Sequence, residues 1–191
     1  NAGVAIRTGV EADETVLKAF CPDAIVLATG SNPLILRIPG LSECGFMTAQ
    51  ELLDGKRSAG RKALVVGGMV GCEAAEFLAE RGHEVSVIEM KDVIAADVTP
   101  ESCRYMFEAF REHNVGLYPG AKVGQFYTDG VDYTLADGTP GSLRSFDSIV
   151  LAMGSRANVA LKETGEAVCT QVLVIGEAAK APGNAVTATT D

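Results

Sequence analysis

The chain has 191 residues, of which 47% are hydrophobic and 21% charged, a composition typical of a folded globular protein rather than a disordered one. Its formal net charge of −9 disfavours nucleic acid as a partner, because a phosphate backbone would be repelled. No apolar run approaches the roughly 20 residues that cross a bilayer, so we expect no membrane segment.

The first predicted elements are a buried strand and a short helix. Residues 24–28 form an apolar run closed by Thr29 and Gly30, which is typical of a parallel strand. Two prolines and a glycine in residues 31–40 indicate a connection. The Thr48-Ala-Gln-Glu51 pattern is a capping box, which predicts a short helix that ends near Gly55.

A strand–helix–strand unit follows, and then a second helix. Residues 62–66 and 85–89 are apolar strands, and residues 70–81 between them carry apolar side chains at helical spacing. Thr99 as N-cap and Pro100 as first helical residue predict a helix to about His113.

Beyond that helix the apolar period changes from 3.6 to 2. Short strands are predicted near 122–128, 131–135 and 144–151, and the Asp-Gly pairs that separate them indicate an antiparallel meander. The third segment runs into the apolar stretch Ile-Val-Leu-Ala-Met-Gly, and residues 172–176 form another strand that ends in glycine. This order predicts an α/β fold in which a central domain is inserted between pieces of another sheet.

The five cysteines are scattered, with no C-x-x-C pair, at Cys21, Cys44, Cys72, Cys103 and Cys169. This spacing argues against a redox dithiol, a zinc ribbon and a disulfide framework, and isolated thiols favour a reducing cytoplasmic location. The first residue is Asn1 and no signal-peptide layout follows it. We therefore expect the chain to begin inside a longer protein.

The stretch Leu-Val-Val-Gly-Gly-Met-Val-Gly, from residue 64 to 71, lies between the first strand and the helix of the central unit. Gly68 and Gly71 fill the second and third positions of the dinucleotide pattern G-x-G-x-x-G, and Val66 occupies the first. Gly67 would permit a tight turn from a shifted position. Such glycines let backbone N–H groups at a helix N-terminus approach a pyrophosphate. The alternative is that they only ease helix–sheet packing.

Glu89 ends the next strand, 18 residues after Gly71, close to the spacing of the acid that binds a ribose 2′-hydroxyl. A carboxylate there favours NADH over NADPH, because it repels a 2′-phosphate. The alternative is a solvated charge at a strand end. The pattern Tyr118-x-x-x-Lys122 suggests a short-chain dehydrogenase pair, but Pro119 and Gly120 exclude the helix that such a pair requires.

Four motifs occur in a family order: PDAIVLATGSNP with a following IPG, ALVVGGMVGCEAAEFLAERGHEVSVIEM, DSIVLAMGSRAN and VLVIGEAAKAPGNAVTA. In this order the chain resembles the C-terminal part of flavoproteins with two dinucleotide-binding domains, in the pyridine nucleotide-disulfide oxidoreductase superfamily. It is similar above all to the region after the barrel in old-yellow-enzyme-like NADH:flavin oxidoreductases, such as 2,4-dienoyl-CoA reductases and enoate reductases.

The resemblance implies a Rossmann-like NAD(H)-binding domain over residues 44–147, inserted between two segments of an FAD-type domain, 1–43 and 148–191. It implies an NAD(P)H:flavin oxidoreductase in which electrons pass from NADH to FAD. In the longer relatives they pass onward through a [4Fe-4S] cluster to FMN in an N-terminal barrel. The chain would then be a fragment, inactive alone, with the barrel and the rest of the FAD domain as its partners.

The resemblance also implies which residues bind the cofactors. Those at the NADH pyrophosphate and ribose would be Gly67, Gly68, Met69, Val70, Gly71 and Glu89. Glu73 would lie near the nicotinamide–flavin junction, and Gly154 would line the nucleotide cleft. Those that flank FAD would be Ala28, Thr29, Gly30, Gly176 and Glu177. The resemblance assigns no proton-transfer residue and no metal ligand in this chain.

Two departures from the family pattern bear on function. The family writes three successive glycines where this chain has only Gly67 and Gly68, and it ends the closing motif in Gly-Asp where this chain has Gly176-Glu177. These departures favour an alternative function, a non-catalytic nucleotide-binding or interaction module that retains the Rossmann-like fold. The intact order of motifs favours the oxidoreductase.

Overall fold

A computed structural model of the chain describes residues 3–96 and 100–180, with no side-chain detail at 100–102. The described residues form two compact units, one built from residues before 33 and after 154 and the other from residues 33–154. The domain boundaries inferred from the sequence, after 43 and after 147, differ from these divisions. The boundaries after 43 and after 147 stay a prediction of where the NAD(H)-binding domain begins and ends.

Five helices and twelve strands are assigned in the described residues. The helices are α1 (Glu14–Phe20), α2 (Ala49–Leu53), α3 (Met69–Ala79), α4 (Pro100–Glu112) and α5 (Lys162–Val168), with a 3-10 turn at Gly176–Ala178. The strands are β1 (Ile25–Leu27), β2 (Ser31–Pro33), β3 (Met47–Thr48), β4 (Lys62–Gly67), β5 (Glu84–Ile88), β6 (Gly116–Tyr118), β7 (Ala121–Tyr127), β8 (Gly130–Leu135), β9 (Pro140–Leu143), β10 (Ser148–Ala152), β11 (Ser155–Ala157) and β12 (Val172–Val174).

The unit of residues 33–154 is built on a five-stranded parallel sheet in the order β3-β10-β4-β5-β6. Both faces of this sheet are covered, and successive residues of β4 show how. Val65 packs among side chains of α2, α3 and α4, whereas Leu64 and Val66 pack on the other side with residues of the meander. The sequence therefore shows a continuous apolar run rather than an alternating one. The predicted α/β fold is confirmed.

Helix α2 begins as its capping box predicts. The Thr48 hydroxyl accepts a hydrogen bond from the Glu51 N–H at 3.1 Å, and a Glu51 carboxylate oxygen accepts one from the Thr48 N–H at 2.8 Å. Helix α4 begins at Pro100 as expected, while Thr99, the predicted N-cap, lies outside the described residues.

The meander differs from the prediction at its third strand. β7, β8 and β9 form an antiparallel sheet, and β9 is Pro140–Leu143 rather than the predicted segment 144–151. The apolar run Ser148–Ala152 is β10, which lies between β3 and β4 and is parallel to both. The prediction that this run belongs to another sheet was wrong. Its residues 149–151 are at most 3% exposed, as a central parallel strand requires.

The second unit contains a two-stranded parallel sheet of β1 and β12. Ile25 and Leu27 lie in a small core with Cys169, and the residues packed against this core are Leu17 of α1, Leu161 just before α5, and Val172 and Val174 of β12. Val26 and its register partner Leu173 lie on the opposite face and are 55% and 60% exposed. A parallel sheet with one bare apolar face is unusual, because such sheets are normally covered on both sides.

No helix among the described residues is long and apolar enough to cross a membrane.

The position of β10 can be tested by shortening one of its side chains. Leu151 is 3% exposed, so Leu151→Ala leaves a cavity in the central sheet and should lower the free energy of unfolding by about 2–5 kcal/mol. The control is Leu36→Ala, because Leu36 is 43% exposed in the same unit and should change stability by less than about 0.5 kcal/mol. Urea unfolding followed by circular dichroism measures both. Equal, small losses would contradict a central β10.

Candidate functional site

The site is built where β4 ends and α3 begins. Gly67, the last residue of β4, has φ +133°, and a Cβ there would collide with the backbone carbonyl of Ala152. Gly71, in the first turn of α3, is also tightly placed, because its Cβ would lie 3.3 Å from Ala152 Cβ and Val65 Cγ1. Both glycines therefore let the start of α3 approach β4 and β10 closely, which is the packing that the alternative interpretation of the glycines describes.

The N-terminus of α3 presents backbone donors. Gly68 is the N-cap residue, and no side chain caps this helix end. The first N–H that donates within the helix is that of Cys72, to the Gly68 carbonyl at 2.9 Å. The N–H groups of Met69, Val70 and Gly71 precede this first helical bond, and with the helix dipole they form an arrangement suited to a bound anion.

Glu89 lies beside this turn, just after β5. Glu89 is only 6% exposed. This burial does not fit the alternative interpretation, in which Glu89 is a solvated charge at a strand end. Oε1 accepts a hydrogen bond from the Lys91 N–H at 2.8 Å, and Oε2 would lie 3.2 Å from a Cβ placed on Gly68. The carboxylate and the glycine turn are therefore neighbours, as expected for adjacent parallel strands whose carboxyl ends meet at one edge.

Cys72 lies behind the turn in α3 and is fully buried. Burial raises the pKa of the Cys72 thiol to about 12, and the negative charge of Glu89 adds to the effect. The thiol is therefore neutral at physiological pH, and it fills the core as a small apolar side chain.

The remaining residues of the predicted nucleotide site are more peripheral. Glu73 is exposed on α3, and Val70 in its first turn is 43% exposed. Gly154 follows β10, has φ +101°, and accepts a hydrogen bond from the Leu34 N–H at 2.9 Å. The structure thus groups Gly67, Gly68 and Glu89 closely, while Glu73 and Gly154 lie in open surroundings.

The predicted FAD residues lie in the other unit. Ala28, Thr29 and Gly30 follow β1. The Thr29 hydroxyl donates to the Asn158 carbonyl at 2.6 Å, and the Gly30 carbonyl accepts from the Asn158 N–H at 2.9 Å. Gly176, with φ +61°, opens the 3-10 turn that carries Glu177.

Ser31 is a residue that the sequence did not suggest. Its hydroxyl donates to Glu177 Oε2 at 2.8 Å, across a separation of 146 residues. Ala152 was missed as well, although its carbonyl faces Gly67. Only the sheet order reveals that contact, because the register pairs Ala152 with Gly67. Within the described residues there is no cluster of His, Cys, Asp and Glu suited to a metal ion.

Comparison with known proteins places this geometry in context. Residues 2–189 match the family described as Pyridine nucleotide-disulphide oxidoreductase. The chain is 37% identical over 183 residues to an NADH oxidase of Thermoanaerobacter brockii, covering 93% of this chain and 28% of that protein. It is 33% identical to a bilirubin reductase of Mediterraneibacter gnavus, covering 91% of this chain and 27% of that one.

A solved structure is similar over the same length. The structure of a 2-naphthoyl-CoA reductase in complex with 2-naphthoyl-CoA superposes with a TM-score of 0.86 at 28% identity, covering 93% of this chain and 27% of that one. The chain thus spans little more than a quarter of the length of these relatives. With a family match over nearly its whole length, the chain belongs to the pyridine nucleotide-disulphide oxidoreductase family.

Proposed function

We propose that residues 33–154 bind NADH and that the chain is the nucleotide-binding part of an NADH:flavin oxidoreductase. The observation that carries the proposal is the buried Glu89 carboxylate beside Gly68 at the N-terminus of α3. Backbone donors for a pyrophosphate and an acceptor for ribose hydroxyls thereby lie side by side. The family match and the similarity to an NADH oxidase support this assignment.

The residues would divide the work as follows. The N–H groups of Met69, Val70 and Gly71 would donate to the pyrophosphate, and the dipole of α3 would favour its charge. Glu89 would accept hydrogen bonds from the adenosine ribose and would repel a 2′-phosphate. The site therefore favours NADH over NADPH.

The second unit would hold part of an FAD site. The residues are those of the resemblance, Ala28 to Gly30 and Gly176 with Glu177. When bound, a flavin supplies the acceptor for hydride from a reduced nicotinamide. Glu177 is one methylene longer than the Asp of the family pattern, and Ser31 holds its carboxylate by the bond described above. Glu177 would then be fixed so that it can accept a hydrogen bond from the ribityl chain.

The remaining cofactors and partners would belong to a longer protein. Because the chain spans 27–28% of its relatives, we propose that it is a fragment. The FMN and [4Fe-4S] cluster of old-yellow-enzyme-like relatives would lie outside it, in an N-terminal barrel. The bare apolar face at Val26 and Leu173 supports the proposal that further chain completes the FAD-type domain.

A second candidate is a non-catalytic nucleotide-binding module. It is favoured by Val66, which stands at the first-glycine position and is buried in the core at 6% exposure. The experiment that separates the two is flavin reduction by NADH in the chain together with its missing domains. Reduction of bound FAD supports the oxidoreductase, and nucleotide binding without reduction supports the module.

The role of the Glu89 charge can be tested by substitution. Glu89→Gln keeps the shape of the side chain and an oxygen for the Lys91 N–H, but removes the negative charge. We expect the NADH dissociation constant to rise about tenfold, or about 1.4 kcal/mol, and the preference over NADPH to narrow. Isothermal titration with both nucleotides measures this. Glu80→Gln, at the exposed end of α3, is the matched control. An unchanged NADH:NADPH ratio would sink the assigned role of Glu89.

The space beside Gly68 for a bound pyrophosphate can be tested in the same way. Gly68→Ala places a methyl group 3.2 Å from Glu89 Oε2, in the region where the pyrophosphate would approach the backbone. The NADH dissociation constant should rise at least about tenfold. Gly124→Ala is the control, because its Cβ would meet nothing within 4 Å. If both variants bind NADH like the wild type, Gly68 does not contact the nucleotide.

The reactivity of the thiols can also be tested, because the family description names disulphide chemistry. We propose that Cys72 takes no part in such chemistry, because the thiol is buried and its raised pKa leaves almost no thiolate at pH 8. Iodoacetamide at pH 8 should modify the exposed Cys21 and leave Cys72 unmodified. Mass spectrometry of peptides reports the sites, and labelling in urea is the control. Rapid modification of Cys72 in the folded chain would contradict the proposal.

A further inference from the structure

The segment that carries Glu89 is held by the backbone of a turn between β6 and β7. The Glu89 N–H donates to the Tyr118 carbonyl at 3.0 Å, and the Glu89 carbonyl accepts from the Ala121 N–H at 2.9 Å. The Gly120 N–H donates to the Lys91 carbonyl at 2.9 Å. Three main-chain hydrogen bonds therefore hold the segment on both sides of the Glu89 side chain.

The turn has little freedom of its own. Pro119 restricts φ to about −65° by its ring. Gly120 follows with φ +66°, and this Pro-Gly order is the pattern of a type II turn. A Cβ on Gly120 would lie 3.3 Å from Asp92 Oδ1, within the same segment that follows β5. A side chain at this position would strain the turn because of the positive φ, and the Asp92 side chain would have to move by a few tenths of an ångström.

Lys91 links the turn to the carboxylate through its main chain. Its carbonyl accepts from the Gly120 N–H, and its own N–H donates to Glu89 Oε1 at 2.8 Å. The other carboxylate oxygen, Oε2, faces the glycine turn near Gly68. The N–H and the carbonyl of Lys91 belong to successive peptide groups joined at its Cα. A displacement of the carbonyl by the turn would therefore be passed through the Lys91 main chain to the N–H that holds the Glu89 carboxylate.

We propose that Gly120, within the turn Tyr118–Ala121, is a positioning residue that sets the Glu89 carboxylate and thereby the discrimination between a ribose 2′-hydroxyl and a 2′-phosphate. The inference rests on the proposed function. Gly120 acts through Lys91 and does not contact the nucleotide. Hydrogen bonds weaken steeply away from their preferred distance, so displacement of the carboxylate weakens NADH binding. The same displacement relieves the repulsion of NADPH, so the ratio of the two affinities falls.

The Tyr118-x-x-x-Lys122 stretch contains no helix, because β6 ends at Tyr118 and β7 begins at Ala121. As the sequence predicts, Tyr118 and Lys122 therefore do not form the helical pair of a short-chain dehydrogenase.

The test is the Gly120→Ala variant of this 191-residue chain. Dissociation constants for NADH and NADPH are measured by isothermal titration, with exchange of the Lys91 amide hydrogen followed by NMR without nucleotide. We expect the dissociation constant for NADH to rise about tenfold and the ratio of the NADPH to the NADH dissociation constant to fall by a similar factor. The Lys91 amide hydrogen should exchange faster than in the wild type.

The matched control is Gly138→Ala, in the hairpin between β8 and β9. Gly138 has φ +88°, and its Cβ would meet nothing within 4 Å, so the backbone strain is similar but remote from Glu89. This variant should be destabilised while its nucleotide ratio and Lys91 exchange stay unchanged. Pro119→Ala loosens the same turn without adding a Cβ contact, and it should lower the ratio of the NADPH to the NADH dissociation constant as well. This variant provides the test if Gly120→Ala does not fold.

The outcomes separate this inference from the proposed function. If the wild type binds neither nucleotide, the proposed function fails, and the inference with it. If the wild type prefers NADH and Gly120→Ala or Pro119→Ala shows the wild-type ratio, only the positioning role is overturned. A ratio that changes equally in Gly138→Ala overturns it as well, because general strain would then account for the effect.

Discussion

The close approach of Gly67 to the carbonyl of Ala152 is the constraint on which the rest of this structure depends. Because Gly67 has no Cβ, β4 can turn into α3 directly against β10, and the helix N-terminus comes to lie at the edge of the sheet. The donors of α3 then lie beside the carboxylate that follows β5, which the turn between β6 and β7 holds. The absence of a side chain at Gly67 thus allows the close packing of a strand, a helix and a neighbouring strand.

The central sheet serves the site because it is covered on both faces. One set of its side chains meets three helices and the alternate set meets the meander, so the central strands β4 and β10 are buried on both sides. The meander does more than complete the core. Its entry turn holds the main chain after β5, so a region that looks like a cover also supports the acid beside the glycine turn.

Local patterns in the sequence predicted the local structure. The capping box at Thr48, the strand–helix–strand unit and the acid after β5 were all evident, because each depends on neighbouring residues. The sheet order was not, since the placement of β10 depends on pairing with β4, far away in the chain. β9 was hidden by Pro140 and Gly141, residues that are depleted in strands, although the Tyr133 ring covers Gly141 in the structure. The bond between Ser31 and Glu177 had no sequence signal at all.

The pairing of β1 with β12 has a consequence for how the chain acquires its structure. β12, the partner strand of β1, is not available until Val172 has been added. At about 5–20 residues per second, the ribosome takes roughly 7–30 s to pass from β1 to Val172. Residues 33–154 form a compact unit of their own. Because β2 pairs with β11, the loop between β1 and β12 is already shortened once that pair has formed, and closing it then costs the entropy of a short connection rather than of a long one.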